Sequence, residues 1–525
     1  MFSFFKSKSE VLPWYGKTPI IDYIRSHLNE KGEMPREYEE LPDAAEMGVE
    51  GKAVRFAAGA MDGILGHHMG AEADEGKLRS LIDTFSEQLR NPSNKTRRAT
   101  YVLLMERGVL SVIDDFLHRV RNRLDFRPLD VYEEALWFIY HGAHREVVKF
   151  GIALLGLFEI GRDRELLLTL GKHEEFTLYV AAALTSGMHE PNETLFQLAK
   201  SVHGWGRIHL VERLEPQTQE IRDWMLREGF KNEIMDEYLA LTCAVGGDLR
   251  SAMAAETIDE ELYQSAGSLI ASLIHEGPSV GITGYDHAAE VIGHYLRHAY
   301  DRAETLRDFL WLVTICNYLR SEGEQDWSAN DWTPAIRAQH LEQCETMVDW
   351  KGWHDRLRQE AATISDDNAH IIINAAHALR VDVWDNLYAA LLTNPDKSML
   401  YDYLMQTSDR NQAEKVVTFA ISHLPLEKIA TGPARELGLG LGFNHHNCLG
   451  SILQHLSRFL GLGHQLIQTA LMSPVVRNRS AAIHVLEEWE VDVWRKELLP
   501  MMKKLLETEP DADVGERLIK LVEKA

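Results

Sequence analysis

Apolar residues recur along this chain at helical intervals. Ile234, Tyr238, Leu241 and Val245 stand at i, i+4, i+7 and i+11, with Met235 and Leu239 beside them. Leu498, Met502 and Leu505 repeat the spacing near the C-terminus, as do Val514, Leu518 and Leu521. Such positions fall on one stripe of a helix. Alternating β-branched runs are nearly absent. The best strand candidate, Ile371-Ile372-Ile373, runs on into Asn374-Ala375-Ala376-His377-Ala378-Leu379, which is helical in character. The pattern predicts an all-α chain.

Punctuation sets the helix lengths. Gly108, Gly161, Gly171, Gly187, Gly229 and Gly246-Gly247 fall between periodic segments, where helix C-caps belong. Asn91-Pro92-Ser93 and Ser473-Pro474 read as helix starts. In the second, Ser473 would cap free N–H groups while Pro474 takes the first turn, where its missing donor costs nothing. Helices of about 10–16 residues joined by tight turns predict stacked antiparallel pairs.

A faint repeat runs through the chain. Arg97, Thr100 and Leu104 follow Pro92 at +5, +8 and +12, and Arg479, Ala482 and Leu486 follow Pro474 at the same distances. Arg207, Leu210 and Leu214 keep the last three spacings without the proline. A second apolar helix follows each Pro-started one, over Val109 to Val120 and Val493 to Leu506. Over 91–121 and 474–507 this resembles HEAT and armadillo-type repeats, where a small residue lets paired helices approach and an Arg faces the inter-repeat turn. The resemblance implies an α-solenoid; it carries no activity with it. A physical argument points the same way, because one helix pair exposes too much apolar surface to stand alone and stacked neighbours bury it. The tail 507–525 alternates charged with apolar positions, as a terminal capping helix must. The expected organisation is an irregular extension over 1–50, a helical-repeat segment over 51–275, a hinge and loop-containing segment over 276–340, and a second repeat segment over 341–525. The third contains a Gly-rich loop at 276–286 and a polar loop at 321–334.

Composition narrows the function classes. The 525 residues are 45% apolar and 26% charged, which excludes a wholly disordered chain. A balance of 55 basic against 80 acidic residues gives −25, which opposes nucleic acid or an anionic membrane as a general partner. The 4 cysteines form no CxxC, so zinc ribbons and thioredoxin-like motifs are excluded, and a reducing cytosol fits best. Phe2, Phe4 and Phe5 are too few for a signal-peptide core or a stable anchor. The most apolar run, Phe150 to Phe158, is far shorter than the ~20 residues that cross a bilayer. A cytoplasmic location without a membrane span is expected.

Three groups of residues bear on chemistry. Asp286, Glu290, His294 and His298 are spaced by four, so one helix aligns them, and Glu290, His294 and His298 have metal-ligating chemistry. Ala288, Val291, Ile292, Tyr295 and Ala299 occupy the apolar side, so the stripe reads as solvent-facing and no metal is assigned to it. Asn444-His445-His446-Asn447-Cys448, with His455 and His464, lacks a standard ligand spacing. The His-Glu dipeptides at 173, 189 and 275 resemble the di-iron pairs of helical-repeat deoxyhypusine hydroxylases, but their unequal spacing breaks that family's symmetric pattern. Arg97, Arg98, Arg119, Arg121 and Arg123 form a basic ridge within 90–127, where helical-repeat DNA glycosylases grip phosphate; pairing with acidic neighbours is the favoured reading here. Two Asp-Trp units, Asp326-Trp327 and Asp331-Trp332, stand five residues apart in the polar loop, and Trp is a common interface anchor. The acidic neighbours would favour a basic partner.

With no Walker loop, Gly-x-Ser-x-Gly or HExxH, the sequence favours a non-enzymatic helical-repeat scaffold without a cofactor. It would bind another protein through its groove or through the Trp loop. The alternatives are a metal-dependent enzyme on the same scaffold and a phosphate or nucleic-acid binder using the basic ridge.

Overall fold

The computed structural model describes residues 12–46, 57–69, 74–106, 108–123, 125–322, 327, 330–365 and 367–525. Among these residues the protein is all-helical, with 29 α-helices and no strand; one isolated bridge pairs Glu436 with Val475. In chain order they are α1 (Ile20–His27), α2 (Ala60–Ile64), α3 (Glu75–Arg90), α4 (Asn94–Glu106), α5 (Ile113–Arg121), α6 (Pro128–His141), α7 (Arg145–Leu155), α8 (Arg164–Gly171), α9 (Glu174–Gly187), α10 (Asn192–Ala199), α11 (Trp205–Val211), α12 (Gln219–Trp224), α13 (Glu237–Gly246), α14 (Leu249–Ala254), α15 (Glu260–His275), α16 (Ala288–Arg302), α17 (Leu306–Arg320), α18 (Pro334–Val348), α19 (Gly352–Glu360), α20 (Ala369–Leu379), α21 (Trp384–Thr393), α22 (Ser398–Met405), α23 (Arg410–His423), α24 (Leu426–Ile429), α25 (Asn444–Leu456), α26 (His464–Leu471), α27 (Val476–Glu488), α28 (Val491–Leu505) and α29 (Ala512–Lys524). None is long and apolar enough to cross a membrane.

Short polar side chains start many of these helices by accepting the first free N–H groups. Asp74, Thr218, Asp259 and Asp511 do so for α3, α12, α15 and α29. Ser93 and Thr96 exchange hydrogen bonds across the first turn of α4, close to the expected start. Near Pro474 the start differs. α27 begins at Val476, because the bridge to Glu436 holds Val475 extended, and Ser473 Oγ accepts from Val475 N instead. Gly171, Gly187 and Gly246 close α8, α9 and α13, as the punctuation predicts.

The chain forms two compact units. Of the described residues, the first draws on 12–46, 57–302 and 314–343, and the second on 303–313 and 344–525. In the first, α6 packs on α7, α8 on α9 and α10 on α11. The second members of these pairs also pack in series, α7 on α9, α9 on α11 and α11 on α13, and α13 in turn packs on α15. Phe85, Phe116, Phe138 and Phe150 meet in the interior, with ring centroids 5.0 Å apart for Phe116 and Phe150. In the second unit α22 packs on α25, α25 on α27 and α27 on α29, while α26 and α28 pack on α27 and α29 respectively. Leu498, Met502 and Leu505 of α28 and Val514, Leu518 and Leu521 of α29 are all buried, on the stripes their spacing marks.

The arginine of the faint repeat has a repeated role. Arg97 donates Nε and Nη2 to Glu134 of α6 at 3.0 and 2.6 Å, and Arg479 donates the same pair of nitrogens to Glu509 at 2.8 and 2.7 Å. Arg479 Nη1 also donates to the Ser473 carbonyl at 2.8 Å. Among the described residues Arg207 has no carboxylate partner of this kind; it donates to the Val202 and Lys231 carbonyls, each at 2.8 Å. In each case the guanidinium ties the start of one helix to a carboxylate or a carbonyl later in the chain.

Two stripes differ from expectation. Val245 is 61% exposed and Met235 also faces solvent, while α13 buries Tyr238, Leu239, Ala240, Cys243 and Ala244. That helix is apolar on nearly every side, so periodicity alone leaves its inward face undecided. His298 of α16 is only 6% exposed, a correction to its placement on the polar side. It stands i+3 from Tyr295 and i+7 from Val291, both buried, so it belongs to their stripe.

Candidate functional site

The turns before α7, α9 and α11 each carry a histidine, at the cap of the first two helices and one residue before the cap of the third. They read His144-Arg145-Glu146, His173-Glu174-Glu175 and His203-Gly204-Trp205, 29 and 30 residues apart. The three helices pack in series. The segment Gly59 to His67 crosses all three helices.

Gly59 opens the segment at φ +73°, where a Cβ would also stand 2.7 Å from the Glu174 carbonyl oxygen, so glycine is required twice over. Its N–H donates to Glu175 Oε2 at 3.0 Å. Asp62, one turn into α2, places Oδ2 2.7 Å from Lys149 Nζ. Gly63 lies flat on the indole of Trp205, where a Cβ would come within 2.2 Å of a ring carbon. A π-helical turn over Leu65–Met69 then sets the His67 ring 5.7 Å from Trp205 and 5.9 Å from His209, centroid to centroid.

Beneath Asp62 sits a buried knot of charge. Lys149 Nζ lies 2.9 Å from Glu146 and 2.6 Å from Glu175 as well as beside Asp62. Arg145 reaches Glu175 at 3.3 Å and Asp43 at 2.9 Å. Glu146 Oε2 accepts from Val109 N at 2.6 Å. Four carboxylates thus surround two cations, and the shortfall of positive charge marks the titrations. Burial would lower the Lys149 ammonium, but Glu146, Glu175 and Asp62 outweigh it and hold the group well above its ordinary value. For Glu175 burial pushes upward, yet Lys149 and Arg145 prevail and bring it to about 2. Asp62 is pushed up, by burial first, with Glu146 and Glu175 adding and Lys149 opposing.

A nucleophilic or basic lysine needs a depressed pKa, and Lys149 has the opposite. Nor do the thiols offer a nucleophile: all four cysteines are free and buried, and burial pushes Cys448 up to about 12. The arrangement holds a short helical segment by backbone, charge and ring contacts.

The residues singled out in the sequence are placed as follows. Trp332 is 5% exposed and Trp327 half-buried, their rings 5.3 Å apart and both against Tyr318. Arg337 stacks on Trp327 at 3.9 Å while donating to the Leu319 and Ser321 carbonyls. The polar loop thus folds its rings inward. Asp331 is exposed, at φ +63°, and Asp326 lies outside the described residues. In the basic ridge, Arg97 pairs with Glu134, Arg119 with Glu75 at 3.1 Å and Arg123 with Asp125 at 2.7 Å. Arg98 is also partnered, and Arg121 is exposed. On α16, Glu290 binds Arg250 at 2.6 Å, His294 stands 3.5 Å from Glu290, and His298 turns away to the Met253 carbonyl at 3.1 Å. His446, His455 and His464 disperse to Ser473, Asp402 and Glu497.

Sequence reasoning missed the segment at 57–69 and its anchors. The repeated His before α7, α9 and α11 was the available signal; nothing in the local pattern of 57–69 points to Lys149 or Trp205. Protein-family models, curated proteins and solved structures contain no match to this chain.

Proposed function

We propose that this protein is a non-enzymatic helical-repeat scaffold, built of stacked helix pairs in the HEAT and armadillo manner, that binds a segment of another protein along the face of α7, α9 and α11. The observation that carries this reading is the seating of its own residues 59–67 there. Gly59 bonds Glu175, Asp62 meets Lys149, Gly63 lies on Trp205 and His67 approaches His209. A face that takes one short helical segment by backbone and side-chain contacts is suited to take another. The internal segment then acts as a resident competitor, and the partner must displace it. The anchors imply a partner segment with small residues over Trp205 and an acidic side chain at the Asp62 position. The four free thiols suit a reducing compartment such as the cytosol. The Trp loop has less support as the binding element, because its rings pack inward. The basic ridge has less support as a phosphate grip, because most of its guanidinium groups already have carboxylate partners.

The test is capture of host proteins with the wild-type chain and with Gly63→Leu, which forces the segment off Trp205. The variant should retain a protein that a synthetic peptide of residues 57–69 releases. Equal capture by both chains, or retention that the peptide does not disturb, would remove the basis for this reading.

A further inference from the structure

At the far end of the 57–69 segment three side chains converge that have the donor set of a metal centre. His209 and Glu212 stand three residues apart, the first in α11 and the second just past its end, so both face one side. His67 comes from the π-helical turn across from them. A ring nitrogen of each histidine and a carboxylate oxygen of Glu212 all lie within 4.8 Å of one another, the one such group of three among the described residues. His67 Nε2 is 3.6 Å from Glu212 Oε1.

We propose that His67, His209 and Glu212 bind one divalent first-row transition ion of the zinc type. Two imidazoles and one carboxylate are borderline donors that suit Zn2+, Fe2+ or Co2+, and poorly suit Ca2+ or Mg2+. Ligands at ~2.0–2.1 Å around a tetrahedral ion stand about 3.3 Å from each other, so atoms now within 4.8 Å must close by up to about 1.5 Å, which a change of side-chain rotamer can supply. A second observation concerns His209 itself. It is 4% exposed, and its Nε2 is buried without a hydrogen-bond partner. A buried, unsatisfied ring nitrogen is costly unless something binds it. Trp205 and Tyr238 wall the cluster, with centroids 5.7 and 5.3 Å from His67, which limits water around an ion. Three protein ligands leave a fourth position for water or a partner's side chain. The ion would join the 57–69 segment to α11. The site stands whether or not the face captures another protein.

The test uses the full chain, freed of metal with a chelator and titrated calorimetrically with Zn2+ at pH 7.5, with Co2+ as the spectroscopic probe. One ion per chain is expected, and the Co2+ form should absorb in the visible with the intensity of a four-coordinate site. His67→Ala and Glu212→Gln, both at partly exposed positions, should each lower Zn2+ affinity at least about tenfold, since even supporting groups around metals are worth that much. His445→Ala, remote in sequence, should not. Circular dichroism checks the fold of each variant, and Glu212→Gln decides alone if His67→Ala fails to fold. Absence of a stoichiometric ion, or unchanged affinity in Glu212→Gln, overturns the proposal.

Discussion

Lys149 is the residue on which the buried knot depends. It stands within 3 Å of three carboxylates, so its removal leaves Asp62, Glu146 and Glu175 without their shared cation in a site closed to water. Breaking one partner out of a buried ionic group costs about 3–5 kcal/mol. Lys149→Met should therefore destabilise the protein by that order in urea unfolding, and adding Asp62→Asn should restore part of it. A neighbour sets the response to acid. His173 accepts from Glu175 N through Nδ1, and its Nε2 faces the Glu39 carbonyl; Glu175, Arg145 and Asp43 are the charges around it. Burial lowers it to about 4, so the folded state refuses a proton that the unfolded chain takes below about 6.5. Its contribution is whole above that value and declines from pH 6.5 to 4. By pH 5 the loss is about 2 kcal/mol, and His173→Gln should remove that much of the fall between pH 7.5 and 5.

Between helices, the repeated arginine is the linking device, and burial grades its strength. Arg479 and Glu509 are both withdrawn from solvent, whereas Arg97 keeps a quarter of its side chain exposed. Arg479→Ala should cost about 3–5 kcal/mol and Arg97→Ala distinctly less, because solvent screens the latter pair. Thermal melting of the two variants ranks them, and hydrogen exchange should show α29 loosening in the first. This device was legible in the sequence, since Arg97 and Arg479 follow a proline at the same distance and precede similar apolar positions. So were the stripes of α28 and α29, whose outer faces are charged and leave one choice of inward side. Elements that are apolar all round, such as α13, gave no such choice, and Val245 therefore faces water. The tryptophans of the polar loop were ambiguous for a related reason. A ring that large fits a core or an interface equally well, and only the positions of Tyr318 and Arg337 turn it inward.

Across the first unit, the contacts that define the candidate site join residues remote in sequence. His67 and His209 are 142 positions apart, and Asp62 and Lys149 are 87. Periodicity reports only on neighbours along a helix, so a segment laid across several helices leaves no trace in it. The central claim is that the face of α7, α9 and α11 accepts a short helical segment and that residues 57–69 occupy it in competition with others. Fluorescence anisotropy of a labelled peptide of residues 57–69 tests this most directly. Gly63→Leu, with its helical content and melting checked, should bind the peptide saturably, and Lys149→Met in that background should weaken binding. The wild-type chain, with its face filled, should bind it far more weakly. Equal binding to both chains, or none to a folded Gly63→Leu variant, would contradict the claim.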